Sequence, residues 1–418
     1  MIRAILVSVL AVAMLVSCDS DFKTPDVVLV DLGIDPVATE NMNTSYHHSK
    51  PALASLLPLV IDYSTDLPSA PGYDATRPDS AIAYLDIDGD TFLDIYLSTG
   101  TNLTADPYFD NIFLNDGANN FSYDVTAFLD DSDPQVSNEP VSLHASKALV
   151  SDFNIATAPG TTGNWLDVFV LDQGTVGGAP KLVLHKARHT DPADTGTPLI
   201  HWFTHQIYSL DTGYHTGGAS ADIDNDADAD IFVGGLEPFF YVNNSLGGFT
   251  RVNNRWDKSM NKVLAAELVD IDLDGYVDLI AGANEADGDV TSIYWGNSSG
   301  TYTNDLRTSL PVPVGYTAYG VILDFEIENL DADSNRDIVI YRNSASDVDR
   351  VVQLIKNNGG RVFADVTAAQ IDNPIANKDS AWLRAQDLDG DTDIDIFPDN
   401  AAAGYWFRND GAGNFTKL

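Results

Sequence analysis

Short apolar runs alternate with acidic, turn-prone stretches along most of this chain, and the alternation repeats. Ala81-Ile82-Ala83-Tyr84-Leu85 leads into an aspartate-rich loop, and Leu93-Asp94-Ile95-Tyr96-Leu97 leads out of it. Asp230-Ile231-Phe232-Val233, Asp278-Leu279-Ile280 and Asp395-Ile396-Phe397 are later copies of the second run. Runs this short, bounded by turn residues, predict strands. A hairpin follows in each unit. Ile112 to Phe121 carries Asn115-Asp116-Gly117, and the copies are Phe240 to Phe249, Leu354 to Phe363 and Trp406 to Phe415. Asn-Gly and Asp-Gly between apolar strands predict tight turns in which both central residues have positive φ. The aspartate loops begin at 86, 152, 222, 270, 329 and 387, at intervals of 66, 70, 48, 59 and 58 residues. Each interval holds about four short strands. The predicted fold class is all-β, a β-propeller of six or seven four-stranded antiparallel blades, which protects its strand edges by closing into a ring. Residues 52 to 75 are candidates for a further blade or for a closing strand.

The loops add chemistry to the pattern. Counting Asp270 as position 1, carboxylates stand at positions 1, 3, 5 and 9: Asp270, Asp272, Asp274 and Asp278, with Gly275 at position 6. Asp86, Asp88, Asp90 and Asp94 keep the phase, as do Asp222, Asp224, Asp226 and Asp230, and Asp387, Asp389, Asp391 and Asp395. In Asn329, Asp331, Asp333 and Asp337 the first donor is an amide. A broken copy starts at Asp152-Phe153-Asn154 and resumes at Asn164-Trp165-Leu166-Asp167 after an insertion. Calcium takes six to eight oxygens at roughly 2.3 to 2.6 Å, and one short turn can aim several at a point. Four bare carboxylates about 4 Å apart repel pairwise by on the order of 1 kcal/mol each, even at a water-like dielectric. The expected cofactor is therefore calcium, at about five sites and at a sixth if the broken copy binds. The EF-hand shares positions 1, 3 and 5 but closes with Glu at position 12 between helices. Position 9 here is Asp, and the flanks are strands. Several copies lack Gly at position 6, a departure that bears on those sites individually.

The aspartate loop, the paired strands and the Asn-Asp-Gly hairpin together resemble the FG-GAP or VCBS repeat of integrin α-chain β-propellers and of many exported bacterial proteins. The resemblance covers about residues 78 to 418. It implies a calcium-stabilised propeller with metal sites in loops between the first two strands of each blade, and ligand contact elsewhere on the ring.

The amino terminus suggests export. Met1-Ile2-Arg3 precedes an apolar run from Ala4 to Val16 that is too short to span a bilayer and is flanked like a secretory signal. Leu15-Val16-Ser17-Cys18 resembles the lipobox of bacterial lipoproteins, which implies lipidation of Cys18, the chain's one cysteine. The expected organisation is a signal peptide over 1–17, the lipidated Cys and a polar tether over 18–51, and the propeller over 52–418. Localisation follows as anchored to the bacterial cell envelope, with the membrane touched only through the lipid. Asp and Glu number 62 against 22 Lys and Arg, a net charge of −40. Such a balance argues against nucleic acid and anionic membrane surfaces as partners.

No Gly-x-Ser-x-Gly elbow or phosphate loop occurs, and carboxylate pairs are too numerous to single out an acid and a base. No catalytic residues are assigned. His185, His189, His201, His205 and His215 fall in and after the second repeat. A three-residue gap between histidines suits zinc on a helical face. In a strand the same gap leaves them on one face but far apart, so surface or packing roles are expected. The functional expectation is a monomeric ligand-binding or adhesion module for an unidentified protein or glycan. The alternatives are a calcium-dependent polysaccharide lyase or hydrolase and an envelope scaffold.

Overall fold

The computed structural model describes residues 66–68, 81–90, 92–98, 108–118, 120–123, 129–130, 133–137, 141–142, 145–154, 165–172, 181–189, 199–208, 213–257, 260, 262–316, 318–344, 349–376, 382–399 and 403–418. The predicted leader, Cys18 and the tether lie outside the described residues, as does nearly all of 52 to 75. No helix among the described residues is long and apolar enough to cross a membrane.

The fold is all-β, and its antiparallel sheets form a propeller-like ring. Sheet 1 runs Ala81–Leu85, Asp94–Ser98, Asn111–Asn115, Phe121–Tyr123. Sheet 2 runs Ala145–Ser151, Asp167–Asp172, Lys181–His189, Leu199–Ile207, and sheet 3 runs Gly218–Ala221, Asp230–Val233, Phe239–Val242, Thr250–Val252. Sheet 4 comprises Val263–Val269, Asp278–Ala283, Ser292–Tyr294 and Arg307–Ser309. Sheet 5 comprises Val321–Glu328, Asp337–Asn343, Arg350–Asn357 and Phe363–Asp365, and sheet 6 comprises Leu383–Gln386, Asp395–Pro398, Phe407–Asn409 and Phe415–Lys417. The expectation of six or seven four-stranded blades is corrected: five of these sheets are four-stranded, while sheet 5 carries a fifth strand, Ile375–Ala376, hydrogen-bonded to Arg350–Asn357. The short helix Thr367–Gln370 turns the chain back far enough for that extra pairing.

One register recurs in every sheet. The residue just before position 1 of the loop pairs with position 9: Leu85 with Asp94, Ser151 with Asp167, Ala221 with Asp230, Val269 with Asp278, Glu328 with Asp337, and Gln386 with Asp395. The acidic loop is thus the turn of each sheet's first hairpin. Even the broken copy keeps Asp167 at the equivalent place.

Apolar side chains on the faces of successive sheets form the core. Ala83, Val150 and Val168 pack between sheets 1 and 2, and Phe169, Ile231 and Tyr241 between sheets 2 and 3. Phe232 and Leu279 fill the gap between sheets 3 and 4, Ile280 and Ile338 the next, and Val352 and Phe407 the last. Trp256 and Trp295 are buried in this packing. The first strand of each sheet neighbours the first strand of the next. The Arg384 guanidinium of sheet 6 lies 4.7 Å over the Tyr84 ring of sheet 1, so the last sheet meets the first. Across the middle, Lys147 Nζ of sheet 2 reaches past sheet 3 to Glu267 Oε1 of sheet 4 at 3.0 Å and to the Ala266 carbonyl at 3.0 Å. Both members of this ion pair are buried. Nearby, burial pushes the Asp324 carboxyl up to about 7 against the opposing pull of Lys147. Asp324 accepts the Leu383 N–H, joining sheet 5 to sheet 6.

The hairpin turns differ from expectation. Gly117, Gly359 and Gly411 have positive φ, but Asp116, Asn358 and Asp410 do not. Asp116 and Asp410 instead close longer loops: each carboxylate accepts the N–H two residues on (Ala118, 2.9 Å; Ala412, 3.0 Å) and an amide N–H from the Asn side chain four residues on. An Asp that captures its own loop this way no longer needs the two-residue turn.

Candidate metal centres

Position 9 sets up each loop. Asp94, Asp230, Asp278, Asp337 and Asp395 all pair in the ladder beside the first strand and are buried. In each, one carboxylate oxygen accepts a backbone N–H from the start of the outer hairpin turn. The donors are Asn115 (2.8 Å), Asn243 (2.8 Å), Gly296 (2.7 Å), Asn357 (2.8 Å) and Asn409 (2.9 Å). In four of the five, the other oxygen accepts the N–H of loop position 2: Ile87 at 2.7 Å, Ile271 at 3.1 Å, Leu330 at 3.2 Å and Leu388 at 3.0 Å. The position-9 carboxylate therefore clamps the acidic loop to the neighbouring turn. Burial raises all five of these carboxyls, to about 7 for Asp94 and about 8 for Asp230 and Asp278.

Positions 1, 3 and 5 are more exposed. The position-1 carboxylates accept loop N–H groups, for example Asp270 from Asp274 at 3.0 Å and from Gly275 at 2.9 Å. Positions 4 and 6 take left-handed φ: Gly89, Asn225, Leu273, Ala332 and Gly390 at position 4, and Ala227, Gly275, Ser334 and Thr392 at position 6. The conformation is kept without Gly because the position-1 carboxylate holds the backbone, as in the 2.9 Å bond from Thr392 N–H to Asp387 Oδ2. Left-handed φ costs an L-residue about 1 to 2 kcal/mol, and a β-branched residue is an outlier there. Thr392→Gly should therefore stabilise the chain by roughly 0.5 to 1 kcal/mol after the added freedom of the unfolded state is subtracted. Urea unfolding checks this, and a loss of stability would mean that Thr392 makes a compensating contact.

Among the described residues, four groups of carboxylates could hold a metal ion: Asp86, Asp88 and Asp90; Asp222, Asp224 and Asp226; Asp270, Asp272 and Asp278; and Asp387, Asp389 and Asp395. In each, the ligand atoms lie within 4.8 Å of one another. The donor set is wholly carboxylate oxygen, which suits a hard dication. A second observation agrees. In the third sheet's loop, Asp224 Oδ1, Asp228 Oδ1 and Asp230 Oδ2 are buried with no hydrogen-bond donor, and Asn329 Oδ1 is in the same state in the fifth. Buried acceptors without donors are costly, and a cation would satisfy them.

Cationic side chains reach the same carboxylates. Arg255 pairs with Asp224 at 2.8 Å, and Arg361 of sheet 5 crosses to Asp272 at 2.6 Å and Asp274 at 3.1 Å in the loop of sheet 4. Arg408 pairs with Asp389 at 2.9 Å and Asp391 at 3.3 Å. In the loop of Asn329, Asp331, Asp333 and Asp337, Lys356 Nζ bonds Asp331 and lies 3.3 Å from Asp333, putting an ammonium where the other loops converge their oxygens. The broken copy keeps the loop side of the clamp. Asp167 accepts the Phe153 N–H at 3.0 Å and the Asn154 side-chain N–H at 2.7 Å, and Asn154 N–H bonds Asp152.

Sequence reasoning treated the hairpin asparagines only as turn residues, and the structure gives them a second task. Asn243 donates its side-chain amide to the carbonyl of Phe153, Asn357 to Ile271 and Asn409 to Leu330, at 3.0, 3.4 and 2.8 Å. Each acceptor is position 2 of the preceding sheet's acidic loop. Neighbouring loops are thereby tied along the ring. The available signal was the Asn closing the third strand in four of the units. Sheet 4 has Gly296 there, where a Cβ would meet the Val277 carbonyl at 2.2 Å.

A scan of protein-family models and a search of curated proteins each find nothing that matches the chain.

Proposed function

We propose that this chain is an exported, lipid-anchored, calcium-binding β-propeller of the FG-GAP or VCBS kind, acting as a binding or adhesion module at the bacterial cell envelope. The observation that carries the reading is the acidic loop repeated at one register around a ring, with ligand oxygens converging at four places. Calcium is the hard dication best matched to such flexible all-oxygen sets, and extracellular modules use it at roughly 10⁻⁴ to 10⁻³ M. Bound there, it would supply charge neutralisation and fix the loops. The chain's own residues do the rest: the position-9 carboxylates clamp each loop to its outer turn, and the asparagines pass that order to the next sheet. A rigid rim results, suited to holding a protein or glycan. The test is retention of the full chain on immobilised acidic and neutral polysaccharides and on envelope proteins, with calcium and with chelator. Calcium-dependent retention without product supports the binding module. New reducing ends or unsaturated products would replace it with the lyase or hydrolase, and recovery of one envelope protein and no glycan would replace it with the scaffold.

A further inference from the structure

The acidic loop of sheet 5 departs from the others in two ways. Position 1 is the amide Asn329, where sheets 1, 3, 4 and 6 have Asp86, Asp222, Asp270 and Asp387. Each of those four aspartates accepts a backbone N–H of its own loop, from Gly89, Asp226, Asp274 and Gly390. Asn329 Oδ1 is buried and accepts none. Order in this loop comes instead from Asp331, which accepts the Asp333 N–H at 3.2 Å, and from Asp333, which accepts the Asn335 N–H at 2.9 Å. Asp331, Asp333 and Asp337 are all described, yet among the described residues they do not converge as the carboxylates of sheets 1, 3, 4 and 6 do.

The second departure lies on the third strand. The backbone N–H that bonds the position-9 carboxylate marks equivalent places in five sheets: Asn115, Asn243, Gly296, Asn357 and Asn409. The residue just before each is Leu114, Val242, Trp295, Lys356 and Arg408. Two of these five are cationic. Lys356 Nζ bonds Asp331 and lies 3.3 Å from Asp333, which are positions 3 and 5 of its loop. Arg408 reaches the same two positions in sheet 6, at 2.9 Å from Asp389 and 3.3 Å from Asp391, but Asp387, Asp389 and Asp395 still gather there. The two cations differ in depth and shape. The Lys356 side chain is 29% exposed against 50% for Arg408. A guanidinium is a flat fork that can lie along the rim of a loop, whereas an ammonium is a compact point charge with three donors that fits between carboxylates.

We propose, resting on the calcium reading of the other loops, that Lys356 is the resident cation of the sheet 5 loop, that this loop takes no calcium, and that the lysine is what excludes the ion. The ammonium bonds the carboxylates at positions 3 and 5, whose oxygens calcium would need, and its charge repels a dication. Affinity for calcium also falls with the charge count of the donors, and here three carboxylates face one ammonium where the loops of sheets 1, 3, 4 and 6 have four aspartates in phase. Sheet 5 is then the blade whose loop keeps its order at any calcium concentration.

The experiment counts bound calcium on the full chain by equilibrium dialysis, for the parent, Lys356→Gln and Asp331→Asn. Lys356→Gln should bind one ion more than the parent, with Asn329 Oδ1 and the freed carboxylates as donors. It should melt below the parent in chelator, where Asp331 and Asp333 face each other without a counter-charge, and gain more than the parent from calcium. Asp331→Asn should bind the same number as the parent. A parent that binds no calcium overturns the reading of all the loops and this inference with it. A parent that binds calcium, with an unchanged count in folded Lys356→Gln or one ion lost in Asp331→Asn, overturns the role of Lys356 alone. Should Lys356→Gln not fold, Asp331→Asn decides by itself: an unchanged count supports the resident ammonium, and the loss of one ion contradicts it.

Discussion

Asp278→Ala is expected to destabilise the chain by about 3 to 5 kcal/mol whether or not calcium is present. The substitution strips the acceptor from the buried Ile271 N–H and the half-buried Gly296 N–H, and an orphaned buried donor costs roughly 1 to 3 kcal/mol. Loss of one metal ligand would add to this only when the ion is bound. Asp272→Ala provides the contrast. Asp272 accepts from the partly exposed Arg361 and from Asp274 N–H, and its removal orphans no buried backbone donor, so it should change the stability of the chelated chain far less. With calcium present it should lower the melting temperature. Thermal unfolding of both variants with and without chelator separates a clamp from a ligand. Near-native stability of Asp278→Ala in chelator would show that position 9 does not hold the loop.

The second large effect is expected at the middle of the ring. Lys147→Met leaves Glu267 buried without its cation and removes the charge that opposes the burial of Asp324. Breaking a buried pair from one side costs about 3 to 5 kcal/mol, whereas replacing both members with apolar residues of similar size is often neutral. Lys147→Met together with Glu267→Leu should therefore recover at least half of the loss, as measured by urea unfolding. A single variant as stable as the parent would mean that the pair does not bind sheet 2 to sheet 4. A double variant worse than the single would place the value of Lys147 in its bond to the Ala266 carbonyl.

Much of this architecture was legible because the repeat is written in a few residue types. Continuous apolar runs of a few residues, broken by Asp-x-Asp-x-Asp, predict short strands and acidic turns, and the strands Ala81–Leu85 and Asp278–Ala283 lie where the pattern put them. Among the described residues, four of the loops gather three of their four carboxylates, at positions 1, 3 and 5 in two loops and at positions 1, 3 and 9 in the other two. What was not legible depends on contacts between units. Nothing local tells that Asn409 reaches Leu330 across 79 positions, or that Arg361 leaves its own sheet for Asp272. The fifth strand of sheet 5 was missed because Ile375-Ala376 is too short to show a period. The two-residue turn at Asp116-Gly117 was misjudged because the pattern is shared with a longer loop closed by the Asp side chain.

The most direct test of the central claim, that in-phase aspartates grip divalent ions around a ring of sheets, is calcium calorimetry on the chelator-treated chain, with a melting curve at each end of the titration. The account predicts saturable binding of four or more calcium ions at roughly 10⁻⁴ to 10⁻³ M. It also predicts a melting temperature that rises by many degrees on saturation and falls back in chelator. No saturable uptake in that range, with one melting curve for both states, would contradict it.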